Sequence, residues 1–179
     1  MDKLLQQHYK ITELIEGLED INWKESKLYN SDSPLFWLPV AWVFGENYCL
    51  GLSRSGYWVF EFDNQINLLT DKTIDMRGLL PCLKKAYYEL IDLLEQGLKQ
   101  KNLPTELAHT FPYQTLALFA LKNKSDFWSS LALNWLNYIQ IGKEVTVELE
   151  KVSASSWATQ STKQKASKLL RKLNLRSDQ

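Results

Sequence analysis

An α+β fold is what this sequence predicts, on three observations. A helical apolar stripe opens the chain. Three strand-like runs follow at close spacing, joined by short glycine-bearing turns. Most of the remainder then shows helical periodicity. The chain has 179 residues, 45% of them hydrophobic and 23% charged, the composition of a soluble globular domain long enough to bury a real core.

The first element is a helix over residues 1–22. Leu4, His8, Ile11, Ile15 and Leu18 recur at helical spacing, Leu5 and Leu14 widen the stripe, and Gly17 weakens the last turns. "KESKLYNSDSP" breaks the pattern and reads as a loop.

The three runs are "LFWLPVAWVF" (35–44), "YCLGLSR" (48–54) and "YWVFEF" (57–62), with "INLLT" (66–70) as a fourth candidate. The short connections "GEN" and "SG" point to hairpins, so the reading is an antiparallel meander of three to four strands. The first run is apolar on both faces, so both are expected to be covered, with Trp37 and Trp42 in the core. Pro39 has no N–H for a ladder and argues for an edge or a bulge. The same run cannot be a membrane helix. Its uncharged window, Ser33 to Gly45, is shorter than the ~20 residues a span needs, and Pro39 interrupts it.

A long amphipathic helix is expected over 78–101, with Pro81 in its first turn and Asn102 and Pro104 ending it. Residues 104–141 read as two or three helical pieces: a buried one at 113–123, and another at 126–140 capped by Ser125, with Gly142 as a stop. "EVTVELEKV" (144–152) alternates and reads as a strand. "SSWATQST" reads as a linker, and 161–174 as a basic helix bearing Ala166, Leu169, Leu170 and Leu173. The expected organisation is one α+β domain over 1–157, its helical half packed on the sheet, followed by a basic C-terminal tail or helix at 158–179.

Charge is unevenly distributed along a chain of zero net charge. Residues 1–150 carry 14 Lys/Arg and 20 Asp/Glu, whereas 151–179 carry 7 and 1. The tail suits phosphates, yet an acidic body is wrong for a dedicated nucleic-acid domain, and only Trp157 accompanies the tail as a stacking residue. The more conservative reading is a solvated helix lying against its own acidic body.

Catalytic and metal signatures do not emerge. His8 and His109 are 101 residues apart and belong to no ligand spacing. G-x-G-x-x-G, the phosphate-binding P-loop and G-x-S-x-G motifs are missing. Cys49 and Cys82 sit in apolar surroundings, so both thiols are expected to be reduced, buried and unreactive, in keeping with a reducing compartment. The acid pairs Asp71/Asp75 and Glu61/Asp63 fall in a loop and at a strand end, where solvated carboxylates are the simpler reading. The opening decapeptide has too short an apolar pair for a signal peptide.

Aromatic content is the anomaly: seven Trp and eight Tyr. An aromatic core accounts for most of them, but such rings also dominate binding hot spots. Trp23 and Trp157 lie outside the strong periodic elements and are candidates for a partner surface, together with Lys163, Lys165, Lys168, Arg171, Lys172 and Arg176 of the tail. The sequence therefore points to a non-enzymatic, cytoplasmic protein-interaction or regulatory module that needs no cofactor. Its expected partner is another protein, an acidic one suiting the tail. Two alternatives stand beside it: a small-ligand sensor or small enzyme with a pocket between sheet and helices, and a nucleic-acid-associated factor using the tail.

Overall fold

A computed structural model describes residues 3–18, 21–29, 31, 33–70 and 76–177. The architecture is α+β. The chain divides into two compact units, Met1–Gly78 with Tyr88–Pro112, and Leu79–Tyr87 with Tyr113–Gln179.

In the first unit, helix α1 (Lys3–Ile15) precedes five strands: β1 (Lys24–Lys27), β2 (Pro34–Trp42), β3 (Tyr48–Ser53), β4 (Trp58–Phe62) and β5 (Gln65–Leu68). The strands form an antiparallel meander in the order β1-β2-β3-β4-β5. Leu28, just past β1, bridges in parallel to Ile66 of β5, and the Tyr29 N–H donates to the Ile66 carbonyl (2.8 Å). The sheet thus curls until its two ends meet. Leu35, Trp37, Cys49, Val59 and Ile66 fill the inside of the curl, with Leu28 and Leu68 against them.

Strand β1 corrects the loop expected at 24–34. "KESK" has no apolar stripe because its pairing to β2 is a matter of backbone hydrogen bonds, and charged side chains suit an edge strand. Ser26 accepts a hydrogen bond from the Trp37 indole (3.0 Å), and Lys24 sits 5.3 Å from the centre of the same ring. Pro39 lies at the shift in β2–β3 register, a bulge in an internal strand. Gly51 lets the Trp37 ring lie across β3: a Cβ there would stand 2.6 Å from the indole.

Three contacts cover the outer face of this sheet. Gly97 of α2 (Tyr87–Gln100) meets the Val40 carbonyl so closely that no side chain fits between them. The Trp58 indole donates to Thr110 Oγ1 (3.0 Å) and packs edge-on against Phe111. On α1, His8 stacks on Tyr57 with ring centres 4.2 Å apart, its Nδ1 3.2 Å from the Gly56 carbonyl. Helix α1 stops at Ile15, short of the expected residue 22, because Gly17 takes a left-handed conformation (φ 79°). Residues 19 and 20 of the expected helix lie outside the described residues.

The expected helix 78–101 is two elements. Met76–Lys84 is a 3-10 helix containing Pro81, and α2 begins only at Tyr87. At the break the Trp135 indole N–H donates to the Lys85 carbonyl (2.9 Å). Asn102, at φ 56°, closes α2, and the Leu103 N–H reaches back to the Leu98 carbonyl (2.9 Å).

The second unit consists of helices α3 (Tyr113–Lys122), α4 (Asp126–Trp135), α5 (Lys143–Ala154) and α6 (Gln160–Ser177), joined by the 79–87 segment. Ser125 caps α4 through its hydroxyl and the Trp128 N–H (3.5 Å), as the sequence predicts. Residues 144–152 are helical, which overturns the strand reading. Val145, Leu149 and Val152 recur at helical spacing and are buried, whereas Val147 is exposed. A three-residue alternation fits both periods, and the buried triplet decides. Gly142 consequently precedes a helix instead of stopping one. The expected linker shrinks to 155–159. The basic segment is no loose tail: Thr162, Ala166 and Leu169 of α6 are buried in a face packed on α4 and α5.

Candidate functional site

The curled sheet places its β2–β3 and β4–β5 turns at the same end, where the Asp63 N–H donates to the Asn47 carbonyl (3.1 Å). Large aromatic side chains crowd that end. Trp42 closes β2, Phe44 begins the turn, and Phe62 closes β4. They are 49%, 36% and 54% exposed. Tyr48, itself buried, links two of them: its ring is 5.8 Å from Phe44 and 6.0 Å from Phe62. Its hydroxyl donates to the Gly78 carbonyl (2.6 Å), so the ring is anchored from below.

The turns themselves explain why these rings stay in water. Gly45, Asp63 and Asn64 all adopt positive φ and turn the chain just past the last residues of β2 and β4, so Trp42, paired with Cys49, and Phe62, paired with Tyr48 and Gln65, stand at the end of the ladder with no further strand residue beyond them. Trp42, Gly45 and Glu46 line a shallow open depression. Glu46 and Asp63 are exposed beside the rings, so the rim is aromatic with an acidic edge. Trp42 was expected in the core. It is instead half-exposed, while Trp37, five residues earlier on β2, is fully buried.

Just inside this end lies a charged group. Glu61 faces Cys49 across the β3–β4 ladder and is buried, with Lys24 Nζ 3.9 Å from one oxygen and no hydrogen-bond partner at the other. Burial pushes the Cys49 thiol up to about 12, and the Glu61 carboxylate adds to the rise. Such a thiol is not a nucleophile at neutral pH. Cys82 is also buried. Glu61 points into the sheet and Asp63 sits in the exposed turn, so the two carboxylates do not share a cleft. The Asp71/Asp75 pair lies outside the described residues. Among the described residues, no three metal-ligating side chains come together, and no helix is long and apolar enough to cross a membrane.

Two cavities in the first unit bear on a ligand pocket. One, lined by Gln7, His8, Ile11, Tyr57, Trp58 and other residues between α1 and the sheet, has room for about one water molecule, and the Gln7 side-chain oxygen is buried without a partner. The other is an open groove of about 440 Å³ where the sheet closes on itself, lined by residues that include Lys27, Tyr29, Asn64 and Gln65.

The residues singled out in the sequence fall in different places. Trp23, beside β1, and Trp157, in the 155–159 connection, are both half-buried and belong to different units. Lys165, Lys168, Arg171 and Lys172 are exposed on α6, and Lys163 is half-buried there. Arg176 lies in the last turns of the same helix. The aromatic rim escaped sequence reading. Its signal was the placement of Phe44 and Phe62 directly before turn residues, Gly45 and Asp63-Asn64. No protein-family model, curated protein or solved structure matches this chain.

Proposed function

We propose that this protein is a non-enzymatic interaction module whose first unit docks another protein on the rim formed by Trp42, Phe44 and Phe62. One observation carries the reading: three large aromatic side chains, each more than a third exposed, lie at the same turn end of the sheet, Phe44 and Phe62 around Tyr48 and Trp42 on the Cys49–Glu61 face, while the other tryptophans of the sheet, Trp37 and Trp58, are buried. Exposed aromatics ringed by polar groups are the usual composition of a hot spot. Glu46 and Asp63 beside the rings favour a partner segment carrying an apolar side chain next to Lys or Arg. Two buried cysteines that form no disulfide fit a reducing compartment such as the cytoplasm.

The test is comparative capture from the native cell. The intact protein and the Trp42→Glu/Phe62→Glu variant are purified under identical conditions, and co-purifying proteins are quantified by mass spectrometry. A protein retained by the former and lost by the latter, with the variant's Tm unchanged, supports the reading. Identical protein profiles contradict it.

A further inference from the structure

The division into units redraws the charge map. The first unit holds nine Lys/Arg against sixteen Asp/Glu, and the second twelve against five. Lys84, Lys85, Lys122 and Lys124, distant from the C-terminus in sequence, join the α6 cations in one basic unit. The objection that an acidic body disfavours nucleic acid therefore does not apply to this unit by itself.

Within it, α4 and α6 lie side by side and run in the same direction. The Asp126 carboxylate at the start of α4 accepts the Thr159 N–H at the start of α6 (2.8 Å), and further along Lys165 Nζ donates to Ser130 Oγ (3.1 Å) and Asn134 Oδ1 (3.3 Å). At 100° per residue, Lys165, Lys168, Arg171 and Lys172 share one exposed flank of α6. Helix α6 contains no Asp or Glu over Gln160–Ser177. Among the described residues, no carboxylate lies within 4.0 Å of these four cations. Asp126, the acid at the head of the strip, is engaged: the Thr159 N–H, then the Thr162 hydroxyl, hold its carboxyl below the usual range.

Exposed aromatic rings stand at both ends of α4. Phe127, at the head of α4, is 55% exposed and edge-on to Trp128, whose ring has Lys84 Nζ 5.9 Å away. Tyr138, just past the end of α4, is 56% exposed and stacked on Tyr87. Cations flanked by aromatic platforms are the composition of a single-strand-binding surface: phosphates meet the charges and unpaired bases stack on the rings. A lipid surface would need the apolar face of α6, which is buried.

We propose that the α4/α6 face of the second unit binds single-stranded nucleic acid, with phosphates along Lys165, Lys168, Arg171 and Lys172 and bases against Phe127 and Tyr138. The probe is a fluorescein-labelled 15-nucleotide oligouridylate, read by anisotropy across a salt series on the full chain. Lys168→Ala/Lys172→Ala should lower the slope of log affinity against log salt by about 1.4, since each single-strand phosphate contact contributes about 0.7. Phe127→Ala should weaken binding at least about fivefold, and Phe127→Tyr should restore it. All these side chains are exposed, and an unchanged Tm verifies folding. Three results would overturn the proposal: no salt-dependent binding, polyglutamate competing as well as unlabelled oligouridylate with Phe127→Ala without effect, or a duplex of the same length binding more tightly than the single strand.

Discussion

Gly97→Ala should destabilise the first unit, although helix propensity alone argues the opposite. In an exposed helix interior, alanine is favoured over glycine by about 1 kcal/mol. At residue 97 the added Cβ meets the carbonyl of Val40, with the Val40 carbonyl carbon at 2.8 Å and Cγ1 at 3.2 Å. Backbone atoms of a paired internal strand cannot rotate away. The helix must instead lift from the sheet by something approaching 1 Å, and a gap of that size forfeits a quarter to a half of each dispersion contact it opens. Leu90, Ile91, Leu94 and Leu98 are buried on the same helix and would all be affected. Overpacking of this kind costs about 1–3 kcal/mol, which for a unit of roughly 100 residues corresponds to a Tm lower by roughly 5–15 °C. Urea and thermal melts followed by circular dichroism provide the assay, with Gln96→Ala, an exposed neighbour, as the control that stays within about 0.5 kcal/mol. If Gly97→Ala melts at or above the parent temperature, the close approach of α2 to β2 is wrong.

Trp37→Ala should cost about 3–5 kcal/mol, because it empties the inside of the curl and removes the hydrogen bond to Ser26, whereas Trp42→Ala should cost less than half as much; parallel urea titrations compare them. Alkaline pH gives a further test. The Cys49 thiol ionises near its ordinary value of 9.0 in the unfolded chain but near about 12 in the fold, so the stability it contributes is complete below pH 9 and is lost as pH rises toward 12. Stability measured from pH 8 to 11 should therefore fall less steeply in Cys49→Ala than in the parent. Native Cys49 should also resist Ellman's reagent at pH 8, and rapid labelling without denaturant would show that the thiol is accessible.

Much of the fold was legible in the sequence because periodicity and turn chemistry agreed there. The glycine-bearing connections predicted the hairpins, Ser125 the α4 cap and Asn102 the end of α2, and Pro39 pointed to an edge or a bulge, of which the structure has the bulge. The failures have physical causes. Strand β1 is held by backbone pairing and bears no apolar signature. The stretch Val145–Val152 satisfied strand and helix periods alike until burial of Glu148 and Val152 settled it. The break between Lys84 and Tyr87 carries a hydrogen bond from an indole fifty residues away, a contact that local periodicity does not show. The candidate site was less legible for a related reason. An apolar run such as 35–44 shows that residues can be buried, not which of them the sheet's end leaves uncovered. Trp37 and Trp42 are indistinguishable by composition, and only the positions of the turns separate them. Likewise, charge summed along the chain concealed that Lys84, Lys122 and Lys124 belong with α6.

Photo-cross-linking from within the Trp42–Phe44–Phe62 rim distinguishes a protein-docking surface from rings that merely face water. Benzoylphenylalanine replaces Phe62 in one preparation and Tyr88, an exposed aromatic residue of α2, in another. Both proteins are irradiated in the native cell, and the adducts are resolved by mass and identified. A docking rim gives a discrete adduct with a different protein from residue 62, not from residue 88, and loses it when Trp42→Glu is added. Adducts only with a second copy of this chain, or equal labelling from both positions, would contradict docking.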